Sequence, residues 1–219
     1  MNNQVYAIYG ASGCGRSLMP VARQQLQRQG ISAEIYFIDD SLQEEKLVNG
    51  HRALNYQSFK SIDCSNKYVL IAIANSQIRE KIANQLVVDG IKLWSIQADN
   101  TVIMDNVEIS EGAAISPFVS ITSNIKIGKC FYANLYSYVE HDCVIGDYVT
   151  FAPGVKCNGN IHIKDHAYIG AGAVIKQGTP DKPLIIGKGA IVGMGAVVTK
   201  SVPAGVTVVG NPARILERK

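Results

Sequence analysis

Through the second half of the chain, an aliphatic or similarly apolar residue stands at every sixth position. The series runs Ile103, Ile109, Ile115, Ile121, Ile127, Ala133, Val139, Ile145, Phe151, Cys157, Ile163, Ile169 and Ile175, thirteen rungs without a slip. The fifth residue of each hexad is also small or apolar, as in Val107, Ala113, Val119, Ile125 and Phe131. The second often holds a turn residue, such as Gly128, Asn134, Gly146, Asn158 or Gly170. A period of six fits neither an α-helix nor strand alternation, so it predicts a repeat architecture. Three short strands joined by turns close a triangular coil, and residues 18 apart (three hexads) then stack on neighbouring coils. The Ile and Val column becomes a continuous core. After Ile175 the in-phase positions are Ile186, Val192 and Val198, so five extra residues have entered the first step. The inserted segment, residues 177–183, is polar and turn-rich, which predicts a loop at one corner. In a regular stack such a loop is more often functional than accidental.

The first part of the chain has a different rhythm. Residues 5–9 read as a short buried strand, followed at once by Gly10-Ala-Ser-Gly-Cys-Gly15. Residues 16–29 have helical spacing, with Leu18, Val21, Ala22 and Leu26 on one face and Gly30 as the stop. A strand follows over 33–38 and ends in Asp39-Asp40; another runs over 68–74 and meets Asn75. A helix over 76–89 and a strand over 91–96 complete the series. This alternation predicts a small Rossmann-like parallel sheet. The expected division is an α/β domain over residues 1–97 and the repeat domain over 98–219.

Composition narrows the function classes. With 219 residues, 47% hydrophobic and 18% charged, the chain can bury a sizeable core in each of two modest domains. A net charge of +3 without a Lys/Arg cluster argues against a nucleic-acid partner. No run reaches the ~18 apolar residues of a membrane span, and the start lacks a signal-peptide pattern, so the cytoplasm is the expected compartment. The five cysteines, at 14, 64, 130, 143 and 157, have no paired spacing. Cys143 and Cys157 fall at inward positions as small apolar fillers. Neither a disulfide framework nor a metal site is expected.

Two stretches carry candidate chemistry. The glycine loop spells G-x-x-G-x-G, not the dinucleotide fingerprint G-x-G-x-x-G, which argues against a nicotinamide cofactor. Its mechanics suit phosphate, because glycine lets the backbone approach closely and a helix N-terminus offers free N–H groups. A tight turn with no ligand is the plain alternative. Asp39 and Asp40 end a strand where this fold class meets a ribose or base; read alone, they serve equally well as a helix start. Among four histidines, His141 stands apart, in Tyr138-Val-Glu-His-Asp-Cys143 with a carboxylate on each side. An outward histidine beside carboxylates can be held in one tautomer as a base. One coil further, at 141 plus 18, lies Gly159, which leaves room for a substrate and presents an N–H suited to an oxyanion.

From about Ile103 to Val209 the chain resembles the hexapeptide-repeat acyltransferases, which implies a left-handed parallel β-helix. The glycine loop, the Asp-Asp strand end, Ile71-Ala-Ile-Ala-Asn75, Glu140-His-Asp-Cys-Val-Ile-Gly146 and Lys156-Cys-Asn-Gly-Asn160 occur together. With them, nearly the whole chain resembles the PglD-like nucleotide-sugar acetyltransferases, relatives of the NeuD group. The resemblance implies that His141 is the general base and Asp142 its orienting partner. Gly10, Ser12 and Gly13 would then meet the diphosphate. Asp39, Asp40, Asn75 and Asn134 would complete the acceptor side. Gly159, Gly170, Ala171 and Gly193 would hold acetyl-CoA. Two positions depart from the family pattern: Cys14 stands where histidine is common, and Asp142 where glutamate is.

The expected activity is acetyl-CoA-dependent N-acetylation of a nucleotide-linked amino sugar, a UDP-4-amino-4,6-dideoxy sugar by resemblance. The expected assembly is a homotrimer with active sites between chains, no metal and no membrane. Two alternatives stay open: O-acetylation of a sugar such as sialic acid, and a non-catalytic nucleotide-sugar-binding module. A zinc-dependent carbonic anhydrase on the same helix is disfavoured, because His162 and His166, spaced by four, belong to different hexads.

Overall fold

The computed structural model describes residues 4–217. It divides into two compact units, one ending at Asp99 and the other beginning at Asn100.

The first unit runs β1 (Gln4–Tyr9), α1 (Gly13–Arg28), β2 (Ile35–Ile38), β3 (Lys46–Val48), β4 (His51–Leu54), α2 (Tyr56–Lys60), β5 (Asn66–Ile71), α3 (Ser76–Val88) and β6 (Lys92–Leu93). The six strands form one sheet in the order β3-β4-β2-β1-β5-β6, parallel except for β3 against β4. Central β1 is buried along Val5–Tyr9, which is why its sequence is a continuous apolar run with no alternation. Helix α1 starts three residues before its predicted start, because Gly13 and Gly15 of the glycine loop already lie inside it. Gly15 is required there for space: a Cβ would collide with the Gly10 carbonyl.

Residues 41–66, which carry no clear period, hold the β3–β4 hairpin and the five-residue α2. β3 is an exposed edge strand, so burial imposes no alternation on it. The strand expected over 91–96 is two short pieces, Lys92–Leu93 and Ile96–Gln97. Buried Gln25 of α1 serves the break, donating to the Ser95 carbonyl (3.0 Å) and accepting from the Gln97 N–H (2.7 Å).

The second unit is a parallel β-helix with three flat faces. One stacks 120–121, 138–139, 156–157, 174–175 and 197–198; the second stacks 107–109, 125–127, 144–145, 161–163 and 184–186; the third includes 114–115, 132–133, 150–151, 168–169 and 191–192. Rung residues pair at the expected offset, as in Ile121 with Val139 and Ile145 with Ile163. Beyond the insertion, Ile163 pairs with Ile186, the same coil lengthened by five residues. From Ile115 to Val198 every rung is buried, so the hydrophobic effect acts along the whole axis.

The turns differ from the sequence reading. In every hexad from Ile103 to Ile169 the residue with positive φ is the fourth, not the second. One corner column comprises Asn106, Asn124, Asp142 and Asn160, at φ between 55° and 60°. Asn and Asp tolerate that conformation better than other side chains. The second-place glycines answer crowding instead: a Cβ on Gly146 would lie 2.7 Å from the Asp165 nitrogen. None of the five cysteines is in a disulfide, and Cys130, Cys143 and Cys157 are buried.

Candidate active site

His141 and Asp142 occupy the corner between the first and second faces of the β-helix. As the third residue of its hexad, His141 points outward and its side chain is about half exposed (52%). Its Nδ1 lies 2.7 Å from Asp142 Oδ2. That contact depends on the turn, because the positive φ of Asp142 (57°) swings its carboxylate back toward the preceding side chain. The other carboxylate oxygen accepts from Asn124 Nδ2 (3.2 Å), and Asn124 Oδ1 accepts from Asn106 Nδ2 (3.2 Å). Three corner residues spaced by 18 thus form a relay of hydrogen bonds ending on the imidazole. The His141 and Asn124 contacts hold the Asp142 carboxyl below the usual carboxylate range, so it is ionised at neutral pH. An anionic acceptor fixes the proton on Nδ1 and leaves the Nε2 lone pair available.

Asn106 and Asn124 were missed by the sequence reading. The signal was present, since they precede Asp142 by two coils and one coil at the same hexad position.

Gly159 lies one coil above the ring. A Cβ there would stand 2.5 Å from His141 Cε1 and 2.6 Å from Nε2, so any larger residue displaces the imidazole. Gly159 does not have positive φ; contact with His141, not backbone conformation, demands glycine. Its carbonyl accepts from Gly178 N (3.0 Å) in the inserted loop, while its own N–H has no protein acceptor among the described residues. Glu140, the other carboxylate beside His141, makes no hydrogen bond to the ring.

Asn134, Gly170, Ala171 and Gly193 sit elsewhere, at the corner between the first and third faces. Within one chain, a whole face of the prism separates them from His141. Asn134 Oδ1 accepts from Leu135 N (2.8 Å), and Gly170 and Gly193 pack tightly against the coil above. The same corner exposes Phe118, Leu135, Tyr136 and Met194, with the Phe118 and Tyr136 rings stacked at 4.8 Å.

In the first unit, Gly10 has φ 114° and donates its N–H to the Ile38 carbonyl, linking the ends of β1 and β2. Ser12 is the N-cap of α1 without a side-chain cap bond, and open space surrounds the Cβ direction of Gly13. The two aspartates part company. Asp39 accepts from both the N–H and hydroxyl of Ser41, a local turn. Asp40 instead lines a cavity of about 260 Å³ with Tyr9, Tyr56 and one side of α3. Asn75 caps α3, accepting from Ile78 N (3.0 Å), so its side-chain oxygen already has a structural partner.

Comparison with known proteins places this architecture. Residues 6–86 match the PglD N-terminal domain. A GDP-perosamine N-acetyltransferase of Escherichia coli O157:H7 is 52% identical over 98% of this chain and 97% of its own length. The chain belongs to the PglD-like nucleotide-sugar acetyltransferases. This PglD-like protein is thus an acyltransferase, which removes the non-catalytic binding module from consideration. WeeI from Acinetobacter baumannii AYE matches it with TM-score 0.93 and 65% identity, covering 97% of this chain and 100% of WeeI. The acetyltransferase domain of PglB from Neisseria gonorrhoeae FA1090, solved with acetyl coenzyme A, matches with TM-score 0.84 and 26% identity, covering 99% and 100%. The repeat unit is the left-handed β-helix of that family, and the first unit its Rossmann-like domain. No helix among the described residues is long and apolar enough to cross a membrane. Among the same residues, no group of three or more His, Cys, Asp and Glu could hold a metal ion.

Proposed function

We propose that the protein transfers acetyl from acetyl-CoA to the amino group of a nucleoside-diphosphate-linked sugar, with His141 as general base. The observation that carries this reading is the half-exposed imidazole fixed by Asp142 and stacked against Gly159, where only a glycine clears the ring. The neutral sugar amine attacks the thioester carbonyl carbon while His141 Nε2 accepts an amine proton. The Gly159 N–H faces the developing oxyanion. Collapse of the tetrahedral adduct forms the amide and expels the CoA thiolate, which takes the proton back from Nε2. Asp142 stays ionised throughout and stabilises the imidazolium.

The acceptor's nucleotide enters through the first unit, with its diphosphate at the α1 N-terminus beside Gly10, Ser12 and Gly13. Two nucleotides are in play. The resemblance of the sequence motifs favours a UDP-4-amino sugar, whereas the relative named for GDP-perosamine favours GDP. Thiol release from acetyl-CoA, followed with UDP- and GDP-linked 4-amino sugars, tests both. Turnover with at least one is expected; no turnover with either removes the proposed activity.

The catalytic unit is a trimer in this reading. Asn134, Gly170, Ala171 and Gly193 share no corner with His141 in one chain, so a second copy must supply them as the opposite wall. Exposed Phe118, Leu135 and Tyr136 at that corner supply apolar surface for the contact. Tyr138, by contrast, is half-buried and donates its hydroxyl to Asn158 Oδ1 (2.9 Å), so it belongs to the coil itself.

A further inference from the structure

Asp142 is nearly as exposed as the base it holds. Its side chain is 45% open to solvent, where water competes for both carboxylate oxygens. Both are engaged by the protein instead: Asn124 Nδ2 donates to Oδ1 (3.2 Å), while Oδ2 faces His141 Nδ1 (2.7 Å). Rotation of the carboxylate therefore breaks two contacts and not one. Asn124 can hold it only with its amide the right way round, because a carboxylate accepts and never donates. Asn106 meets the other end of that amide, its Nδ2 donating to Asn124 Oδ1 (3.2 Å). A flipped Asn124 would set oxygen against oxygen at Asp142 and amino group against amino group at Asn106. Both contacts reject the flip, so the relay runs in one direction, from Asn106 toward the imidazole. Backbone conformation alone does not call for these residues. Phe118, Cys130, Tyr136, Tyr148 and His166 hold the same positive φ at the same place in their hexads. The run of Asn, Asn and Asp on successive coils stands at the corner that carries His141.

We propose that Asn106 and Asn124 are positioning residues for catalysis: through Asp142 they keep His141 in the tautomer and orientation that present Nε2 to the acceptor amine. The inference rests on the general-base reading above and extends it to two side chains whose hydrogen bonds stop short of the ring. Asn124 acts by holding Asp142, and Asn106 by fixing which end of the Asn124 amide faces it. Neither residue exchanges a proton. Their contribution is the share of time the imidazole spends aligned, so it falls on kcat and leaves KM for acetyl-CoA unchanged. The net worth of an ordinary hydrogen bond sets that share at roughly three- to ten-fold. An exposed corner keeps it at this modest level, well below the loss of the base itself.

Steady-state kinetics on a double-mutant cycle in the intact protein test this. Asn124→Gly suits the positive φ of 60° and removes only the side chain. Its kcat should fall roughly three- to ten-fold, with KM for acetyl-CoA and the melting temperature nearly unchanged. Asp142→Gly, at φ 57°, removes the carboxylate in the same way, and adding Asn124→Gly to it should lower kcat no further. Asn106→Asp keeps the turn but can only accept, so it competes with Asp142 for the amino end of Asn124. It should lower kcat a few-fold, even at high salt where its added charge is screened, and have no effect beside Asn124→Gly. Wild-type kcat in Asn124→Gly or in Asn106→Asp overturns the proposal. So does an Asn124→Gly loss that persists in full beside Asp142→Gly, because the residue would then act by another route. His141→Ala, measured in parallel, separates the two claims. Full activity there brings down the general-base reading and this inference with it, whereas a silent Asn124→Gly beside an inactive His141→Ala brings down the positioning role alone.

Discussion

His141→Ala lowers kcat by roughly 10²-fold or more, the usual share of a positioned general base. The loss falls on kcat because the imidazole acts on a proton that moves only in the transition state. KM for acetyl-CoA changes little, since the glycines and Ala171 expected to hold it are untouched. Stability is also retained: the ring is half exposed, outside the buried column, and its removal leaves Asp142 hydrogen-bonded to Asn124. Light scattering should give the mass of three chains for wild type and variant alike. A one-chain mass at micromolar concentration contradicts the shared corner. Activity within a few-fold of wild type, in a correctly assembled variant, contradicts the assignment of the base.

Gly159→Ala is expected to be nearly as damaging to turnover, through a different physical route. The added methyl group would stand 2.5–2.6 Å from the His141 ring, inside van der Waals contact, and the ring is the part that can yield. Turning it away from Gly159 breaks the 2.7 Å contact with Asp142 or misdirects Nε2. A displacement of about 1 Å at a reacting group costs on the order of 10²-fold. The backbone N–H survives in this variant, so the loss reports the position of the ring and not the oxyanion donor. Kinetics of Gly159→Ala beside those of Gly172→Ala make the comparison. Gly172 has open space around its Cβ direction, but its φ of 67° gives it a strain that Gly159 lacks. Gly172→Ala should therefore lower the melting temperature, and Gly159→Ala the turnover. A fully active Gly159→Ala would show that the ring and the glycine are not coupled.

The β-helix was legible because its constraint is strict. An inward position recurs every six residues, and a wrong side chain there meets the packed core on every coil, so the sequence records each rung from Ile115 to Val198. The five-residue insertion could be counted for the same reason. The corners were less legible. Glycines at the second place of a hexad look like turn formers, yet they answer crowding from the next coil, while ordinary residues such as Tyr136 and Tyr148 adopt the positive φ. In the first unit, the central strand and the two longer helices follow apolar runs and helical spacing. The β3–β4 hairpin and α2 escaped notice because they are short and partly exposed.

At the candidate site, the stacking of Gly159 on His141 was readable from the 18-residue offset alone. The Asn106–Asn124–Asp142 relay obeys the same offset, but asparagine at a corner has a sufficient backbone reason, which hides its second use. The separate roles of Asp39 and Asp40 were illegible, because adjacent carboxylates at a strand end differ only in which way the turn points them. Tyr9 read as one more apolar strand residue, although its hydroxyl meets a residue 31 positions away.

The most direct test of the central claim is where the acetyl group lands. Purified protein, acetyl-CoA and the accepted nucleotide-linked amino sugar should yield a product heavier by one acetyl group. Its two-dimensional NMR spectrum should show the new carbonyl coupled to an amide N–H on the sugar ring. An acetyl ester on a ring hydroxyl, or release of CoA with the sugar unchanged, would contradict amine attack assisted by His141.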